Sequence, residues 1–138
     1  CWAQINRSAL IRIPRVAPGR EMATRIELRC PDPSNNPYLA FSVMLKAGLD
    51  GVAKGLKPPA PTEEDVYEFD KKKLEAHQIK TLTSSLKESL DEMGKGKIAK
   101  EALGANTFAK FIDAKNQEWD SYRIRVTQWE LDRYFEVM

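Results

Sequence analysis

Arg7-Ser-Ala-Leu-Ile-Arg-Ile-Pro14 and Thr24-Arg-Ile-Glu-Leu-Arg-Cys30 are the two stretches that decide the fold of the N-terminal part of this chain. In the first, every second residue from Ala9 to Ile13 is apolar and a proline follows, a pattern typical of a β-strand. The second alternates apolar with charged residues in the same way. A loop containing proline and glycine joins them, so the sequence predicts a β-hairpin over about residues 6–30.

The second stretch carries three charged residues on one face. Arg25, Glu27 and Arg29 lie at positions i, i+2 and i+4, so a strand would project all three side chains to the same side. One interpretation is a solvated ladder of ion pairs across the hairpin. The other is that Glu27 gives an oxygen ligand to Mg²⁺ or Mn²⁺, while the arginines bind the anions that accompany the metal. The pattern alone leaves both open.

Positive charge near the N-terminus comes from arginine only. The first 29 residues contain six basic and two acidic residues, and all 13 lysines lie later in the chain. The six are Arg7, Arg12, Arg15, Arg20, Arg25 and Arg29. Because a planar guanidinium group binds phosphate and carboxylate through two parallel hydrogen bonds, this composition indicates recognition of an oxyanion.

Arg7 and Arg12 are five residues apart, which would place them on opposite faces of one regular strand. They can serve one ligand only if Arg7 lies in the loop before the strand, or if a bulge redirects one of them. The alternative for each is an ordinary surface arginine.

Length and composition exclude several classes of protein. The chain has 138 residues, of which 42% are hydrophobic and 30% charged, and its net charge is +2. No apolar run approaches the roughly 20 residues of a membrane span, and the arginine-rich region lacks the lysines and interleaved aromatics of nucleic-acid binders. Two cysteines, Cys1 and Cys30, are too few for a disulfide framework or a zinc site, so reduced thiols in a cytoplasmic protein are expected.

Helices are predicted beyond the hairpin. Asn36 and Pro37 suit the N-cap and first position of a helix that runs from Tyr38 to about Leu56. This helix is apolar around most of its circumference, which predicts burial. Later helix signals begin near Ser85, at Ile98 with a kink near Gly104, and after Thr127. The predicted fold is therefore α+β: a small antiparallel β-element followed by a helical region over about residues 36–138.

Residues 62–80 are rich in acidic residues and lysine and are predicted to form an exposed connector. Its His77 has no cysteine, serine or second histidine in a catalytic arrangement, so a surface role is expected. Tyr67 is an exposed aromatic of this connector and is interpreted as a packing anchor rather than a modification site.

Four motifs stand in a recognisable order along the chain. They are Asn6-Arg-Ser-Ala-Leu-Ile-Arg-Ile-Pro14, Arg25-Ile-Glu-Leu-Arg29, Pro31-Asp-Pro-Ser-Asn-Asn-Pro-Tyr-Leu-Ala-Phe41 and Ala47-Gly-Leu-Asp-Gly51. With these motifs the chain closely resembles the C-terminal part of the class I glutamine synthetases, and the resemblance covers essentially all 138 residues. It implies a segment of the catalytic domain, about the last third of a complete synthetase.

The resemblance implies an ATP-dependent ligase. In this family the side-chain carboxylate of L-glutamate is phosphorylated to γ-glutamyl phosphate, and ammonia then displaces phosphate to give glutamine. Mg²⁺ or Mn²⁺ as cofactor, a cytoplasmic dodecamer, and regulation by feedback and protein partners are implied in the same way.

Site residues are also implied by the resemblance. Arg7 would contact the transferring phosphoryl group, ATP and glutamate, and is the implied catalytic residue. Arg12 and Arg25 would bind the nucleotide phosphates. Glu27 would ligate the second divalent metal beside ATP, and Arg29 would engage the substrate carboxylate.

The chain departs from the family pattern in two places. Many relatives have a lysine in a short loop before the RxExR motif, whereas this loop is longer and holds Arg15 and Arg20, which gives Arg20 only a weak claim to nucleotide contact. Tyr67 falls near the position that adenylylated members modify, but its surroundings differ from theirs, so adenylylation is not expected.

Two functions follow as hypotheses. The first is the nucleotide- and metal-binding part of a glutamine synthetase, inactive alone because the family's other metal carboxylates and its N-terminal domain precede these residues. The second is a non-catalytic oligomerisation or binding module that retains the fold.

Overall fold

A computed structural model describes residues 1–137, in two compact units that comprise residues 1–82 and the residues from 83 onward. The first unit combines a small sheet with helices, and the second is helical. The α+β prediction is thereby confirmed. The last residue of the predicted helical region, Met138, lies outside the described residues.

The sheet of the first unit has three strands, in the order β1 (Trp2–Ala3), β2 (Ile11–Arg12) and β3 (Glu27–Leu28). Strands β2 and β3 pair antiparallel, as the hairpin predicts. Strand β1 lies parallel to β2, so the sheet is mixed rather than purely antiparallel. A strand of two residues has no periodicity to detect in the sequence. The parallel pairing forces residues 4–10 to leave the sheet and return, and this connection is the loop that holds Arg7.

Residues 62–80 are mostly exposed, as predicted, but they contain one buried residue and two short helical elements that the sequence did not predict. Phe69 is buried, and so are Ala3 and Ala9 of the same unit. A short helix, α2, spans Lys71–Ala76, and a 3₁₀ turn spans Val66–Glu68. His77 is exposed, with its ring centroid 5.2 Å from that of Phe69.

Helix α1 spans Pro37–Ala53 and begins as predicted. The Asn36 side chain accepts hydrogen bonds from the backbone N–H groups of Tyr38 and Leu39, and Pro37 fills the first turn. The predicted burial was wrong for the described part of the chain, because no residue of α1 is buried. Its exposed large apolar residues are Tyr38, Phe41, Met44, Leu45, Leu49 and Val52.

The second unit contains α3 (Leu86–Lys95), α4 (Ile98–Arg123) and α5 (Gln128–Tyr134). Helices α3 and α4 pack together, and Leu90 of α3 is 6% exposed. The predicted kink lies at Gly104, whose φ of +73° and ψ of +157° are open to glycine but not to other residues.

Side-chain caps start two of these helices. Ser85 Oγ accepts from the Glu88 N–H at 3.2 Å, while the Glu88 carboxylate binds Ser84 rather than Ser85. Thr127 and Glu130 form the complete reciprocal capping box.

No helix within residues 1–137 combines the length and apolarity that crossing a membrane requires.

Candidate functional site

A cleft in the first unit is lined by Arg7, Arg12, Glu27 and Arg29, and its volume is about 260 Å³. Three of its lining side chains are cations and one is an anion. Whole small-molecule sites have volumes of roughly 300–1,000 Å³. The cleft has room for an oxyanion such as the phosphates of a nucleotide.

Two strands position the centre of the cleft. Arg12 of β2 and Glu27 of β3 are directly opposite each other in the antiparallel register. Arg12 Nε donates to Glu27 Oε2 at 2.7 Å and Arg12 Nη2 donates to Oε1 at 3.0 Å, which is a bidentate ion pair. An ion pair across the hairpin, one of the two interpretations of the charged face, is thus present, and it lies inside the cleft.

Arg25 reinforces this pair from outside the lining of the cleft. Its Nε and Nη2 lie 3.2 and 3.1 Å from Glu27 Oε1. The hydrogen bond from Arg12, and the charges of Arg12 and Arg25, lower the pKa of the Glu27 carboxyl. The same pair raises the pKa of the Arg12 guanidinium. Glu27 is therefore an ionised carboxylate at neutral pH.

The structure unites most of the predicted site residues. Arg7 lies in the loop before β2, the placement that the five-residue spacing requires if it shares a ligand with Arg12. Arg29 follows β3 and lines the same cleft. Arg20 precedes a 3₁₀ turn, Glu21–Ala23, and is not among the residues that line the cleft.

Glu27 fits the predicted role of metal ligand in part. Its Oε2 accepts one hydrogen bond, from Arg12, so one lone pair of this oxygen is left for a cation. Mg²⁺ and Mn²⁺ prefer such carboxylate oxygens. Within residues 1–137 no group of three or more His, Cys, Asp or Glu residues could hold a metal, so Glu27 could be one ligand only and the others would have to come from other residues.

The loop that carries Arg7 is held by residues that the sequence analysis missed. Asn6, 9% exposed, is the buried polar residue of this unit. Its Nδ2 donates to the carbonyl oxygens of Thr62 at 3.0 Å and Glu64 at 2.5 Å. Its Oδ1 accepts from the Ser8 N–H and hydroxyl at 2.8 and 2.6 Å. Both chain neighbours of Arg7 are thus fixed.

Glu63 binds the same loop through its carboxylate. Its oxygens accept from the backbone N–H groups of Gln4 at 2.8 Å, Ile5 at 3.1 Å and Asn6 at 3.3 Å. The bonds from Gln4 and Ile5 are the main reason that the pKa of Glu63 is lowered. No local pattern in the sequence indicates these contacts, because their partners are 57 to 59 residues apart.

Comparison with known proteins places the chain in a family. The sequence model of the family described as "Glutamine synthetase, catalytic domain" matches residues 1–134. The glutamine synthetase of Methanosarcina mazei is 47% identical over 99% of this chain and 30% of its own length. That of Thermus thermophilus is 47% identical over 96% of this chain and 29% of its own length.

A solved structure shares the fold. The structure of apo GmaS without ligand superposes with a TM-score of 0.75 at 29% identity, and covers 98% of this chain and 29% of its own. The chain thus spans about 30% of the length of these relatives. With a family model that matches nearly the whole chain, the chain belongs to the glutamine synthetase catalytic-domain family.

Proposed function

We propose that this chain forms part of the active site of a glutamine synthetase, which joins ammonia to L-glutamate with the use of ATP. A side-chain carboxylate oxygen of glutamate attacks the terminal phosphorus of ATP, and the bond from that phosphorus to ADP breaks. Ammonia then attacks the acyl carbon of γ-glutamyl phosphate, phosphate leaves with the electron pair of the C–O bond, and loss of a proton gives glutamine.

The observation that carries this proposal is the cleft lined by Arg7, Arg12, Glu27 and Arg29. Phosphoryl transfer depends on positioning and on neutralising the charge of the phosphoryl oxygens. Guanidinium groups are permanently charged and match phosphate geometry, so a cleft with three of them suits this chemistry.

Each side chain has a role in the proposal. Arg7 contacts the transferring phosphoryl group and glutamate, and Arg29 binds the glutamate carboxylate. Arg12 and Arg25 hold the phosphates of ATP. Two of the five N–H groups of Arg12 donate to Glu27, and the other three can donate to a phosphate.

Glu27 is proposed as one ligand of the divalent cation beside ATP. When bound, Mg²⁺ or Mn²⁺ would neutralise charge on the phosphate oxygens and help to orient them. Because Glu27 is already ionised through its contact with Arg12, no proton has to leave it before it can bind a cation.

Family membership supports further proposals about the whole protein. We expect the chain to work within a cytoplasmic dodecamer that responds to feedback and to regulatory proteins. We expect the 138-residue chain alone to have no synthetase activity, because one carboxylate is too few for the metal chemistry. A coupled ADP-release assay with glutamate, ammonia and Mg²⁺ tests this directly, and turnover by the chain alone would contradict it.

The main experiment uses a chimera in which residues 1–138 replace the matching segment of the Thermus thermophilus relative. Arg12→Ala, Glu27→Gln and Arg29→Ala are each expected to lower turnover by tenfold or more, since each removes a charged contact. Arg123→Ala is the control, because Arg123 pairs with Asp120 on the exposed surface of α4.

A second arm measures the binding of pyrophosphate to the 138-residue chain by calorimetry. Arg12→Ala is expected to weaken binding by about tenfold, with Arg123→Ala unchanged. Full turnover in all three chimera variants, with assembly intact, would favour the non-catalytic module. A chain that binds no pyrophosphate would contradict the proposed phosphate site even if the chimera did not assemble.

A further inference from the structure

We infer that Glu63 is a positioning residue for Arg7: its carboxylate fixes the backbone of residues 4–6 and thereby directs Arg7 into the cleft. This part of the inference rests on the contacts within the first unit alone. Its effect on anion binding rests on the proposed function.

Three consecutive N–H groups converge on one carboxylate. Gln4 donates to Glu63 Oε1, while Ile5 and Asn6 donate to Oε2. Successive backbone N–H groups that point to one spot form a concave site for an anion, called a nest. Here the anion is supplied by the chain itself, so the nest holds a side chain from 57 to 59 residues away rather than a ligand.

The nest ends at the residue before Arg7, and this connects it to the cleft. The direction in which a side chain leaves the backbone is set by the φ and ψ angles of its own residue and of its neighbours. Asn6 is bound through both its backbone N–H and its side chain, and Ser8 is bound by Asn6 and by the Val66 N–H, which donates to Ser8 Oγ at 2.9 Å. Arg7 is therefore the one unanchored side chain between two anchored residues, and it lines the cleft.

Loss of the Glu63 carboxylate would leave other links between these segments. The Thr62 N–H donates to the Trp2 carbonyl at 2.9 Å, and Trp2 Nε1 donates to the Pro59 carbonyl at 2.7 Å. The bonds of the Asn6 side chain also remain. A Glu63 variant is thus expected to keep the fold of the unit while it releases residues 4–6, which separates positioning from general stability.

The first test needs no ligand. In the isotope-labelled 138-residue chain, Glu63→Ala is expected to lower the hydrogen-exchange protection of the Gln4, Ile5 and Asn6 amides by about tenfold. NMR relaxation should show greater motion of the Arg7 backbone amide in Glu63→Ala than in the wild type. Glu63→Gln keeps the side-chain length and one acceptor oxygen, so a smaller loss is expected, and it is the variant to interpret if Glu63→Ala does not fold.

The matched control is Glu64→Ala, which removes a neighbouring carboxylate that pairs with Lys73 Nζ at 2.5 Å and leaves the nest intact. Unchanged protection and motion in the Glu63 variants, or equal changes in Glu64→Ala, would overturn the inference.

The second test is a double-mutant cycle on pyrophosphate binding. If Glu63 acts through Arg7, then Glu63→Ala weakens binding by severalfold in the wild-type chain but has no further effect in the Arg7→Ala background. In the Arg12→Ala background the loss should persist. An equal loss in the Arg7→Ala background would show a general structural effect and overturn the inference.

The two tests separate this inference from the proposed function. If Glu63→Ala frees residues 4–6 and Arg7 while the wild-type chain binds no pyrophosphate, the positioning role stands and the phosphate site is wrong. If pyrophosphate binds and depends on Arg7, but the loop is unaffected by Glu63→Ala, the phosphate site stands and the positioning role is wrong.

Discussion

Replacement of Glu27 by glutamine should strengthen the binding of a metal-free anion to the 138-residue chain. Glu27 is the one anion among the residues that line the cleft. It accepts hydrogen bonds from two N–H groups of Arg12 and one of Arg25, and Arg25 Nη2 lies 3.1 Å from its Oε1. The variant keeps the shape of the side chain but removes its charge. The arginines then face the anion without a competing carboxylate.

The size of the effect follows from the geometry. An anion on Arg12 would lie roughly 4–6 Å from the Glu27 carboxylate, which is itself 2.7 Å from the guanidinium. In solvent-screened surroundings, two unit charges at that separation change an affinity by about fivefold. At 1 M salt the screening length is about 3 Å, so the gain should nearly vanish.

Calorimetric titration with pyrophosphate, in metal-free buffer at low and high salt, measures this change. Glu21→Gln is the matched control, because it alters the net charge equally but lies outside the lining of the cleft. Unchanged or weaker binding by Glu27→Gln would refute the electrostatic reasoning and would indicate that Glu27 is needed to hold Arg12 in place. A gain of equal size in Glu21→Gln would refute the cleft as its origin.

Three further predictions concern stability, measured by urea unfolding. Gly104→Ala should lower the free energy of unfolding by about 1–3 kcal/mol, because alanine is strained at φ +73°; Gly94→Ala, inside α3 with open space around it, should raise it by up to about 1 kcal/mol. Equal effects of the two would contradict the backbone argument. Thr127→Ala should lower the free energy of unfolding by about 1 kcal/mol, because the helix loses its cap, and Thr127→Ser should restore the wild-type value. Failure of serine to restore this free energy would contradict the capping role. Glu63 has a lowered pKa, so its contribution to stability is present above its ordinary value of 4.5 and is lost as the pH falls through the folded-state pKa. The stability difference between the wild type and Glu63→Ala should therefore shrink below about pH 4.5, and a difference that grows there would contradict the assignment.

Local signals in the sequence were enough to predict where helices begin, where one helix is kinked, and which strands form a hairpin. Asn36 and Thr127 cap helices as predicted, because a cap depends only on the next three residues. The kink at Gly104 also lies where glycine indicated it. The pairing of β2 with β3 was predictable because a hairpin joins strands that are close in sequence.

Contacts between distant residues were not predictable in this way. No periodicity links Glu63 to Gln4 or identifies β1, since both depend on pairing across the chain. The apolar composition of α1 predicted burial, but composition does not say which surface would cover the helix, and the described residues leave it exposed. For the cleft, alternation placed Glu27 and Arg29 on one face of a strand, but the ion pair between Glu27 and Arg12 depends on the pairing of two strands. The metal role of Glu27 is a proposal that rests on family membership.

The long separation between the loop of Arg7 and residues 59–66 has a consequence for biosynthesis. The Trp2 side chain and the Gln4 amide find partners 57 and 59 residues later in the chain. At a translation rate of about 5–20 residues per second, Glu63 emerges roughly 3–12 s after Gln4. Until then the three amides that bind it have no carboxylate, and a nascent chain would carry its arginine-rich region unassembled, open to any polyanion nearby.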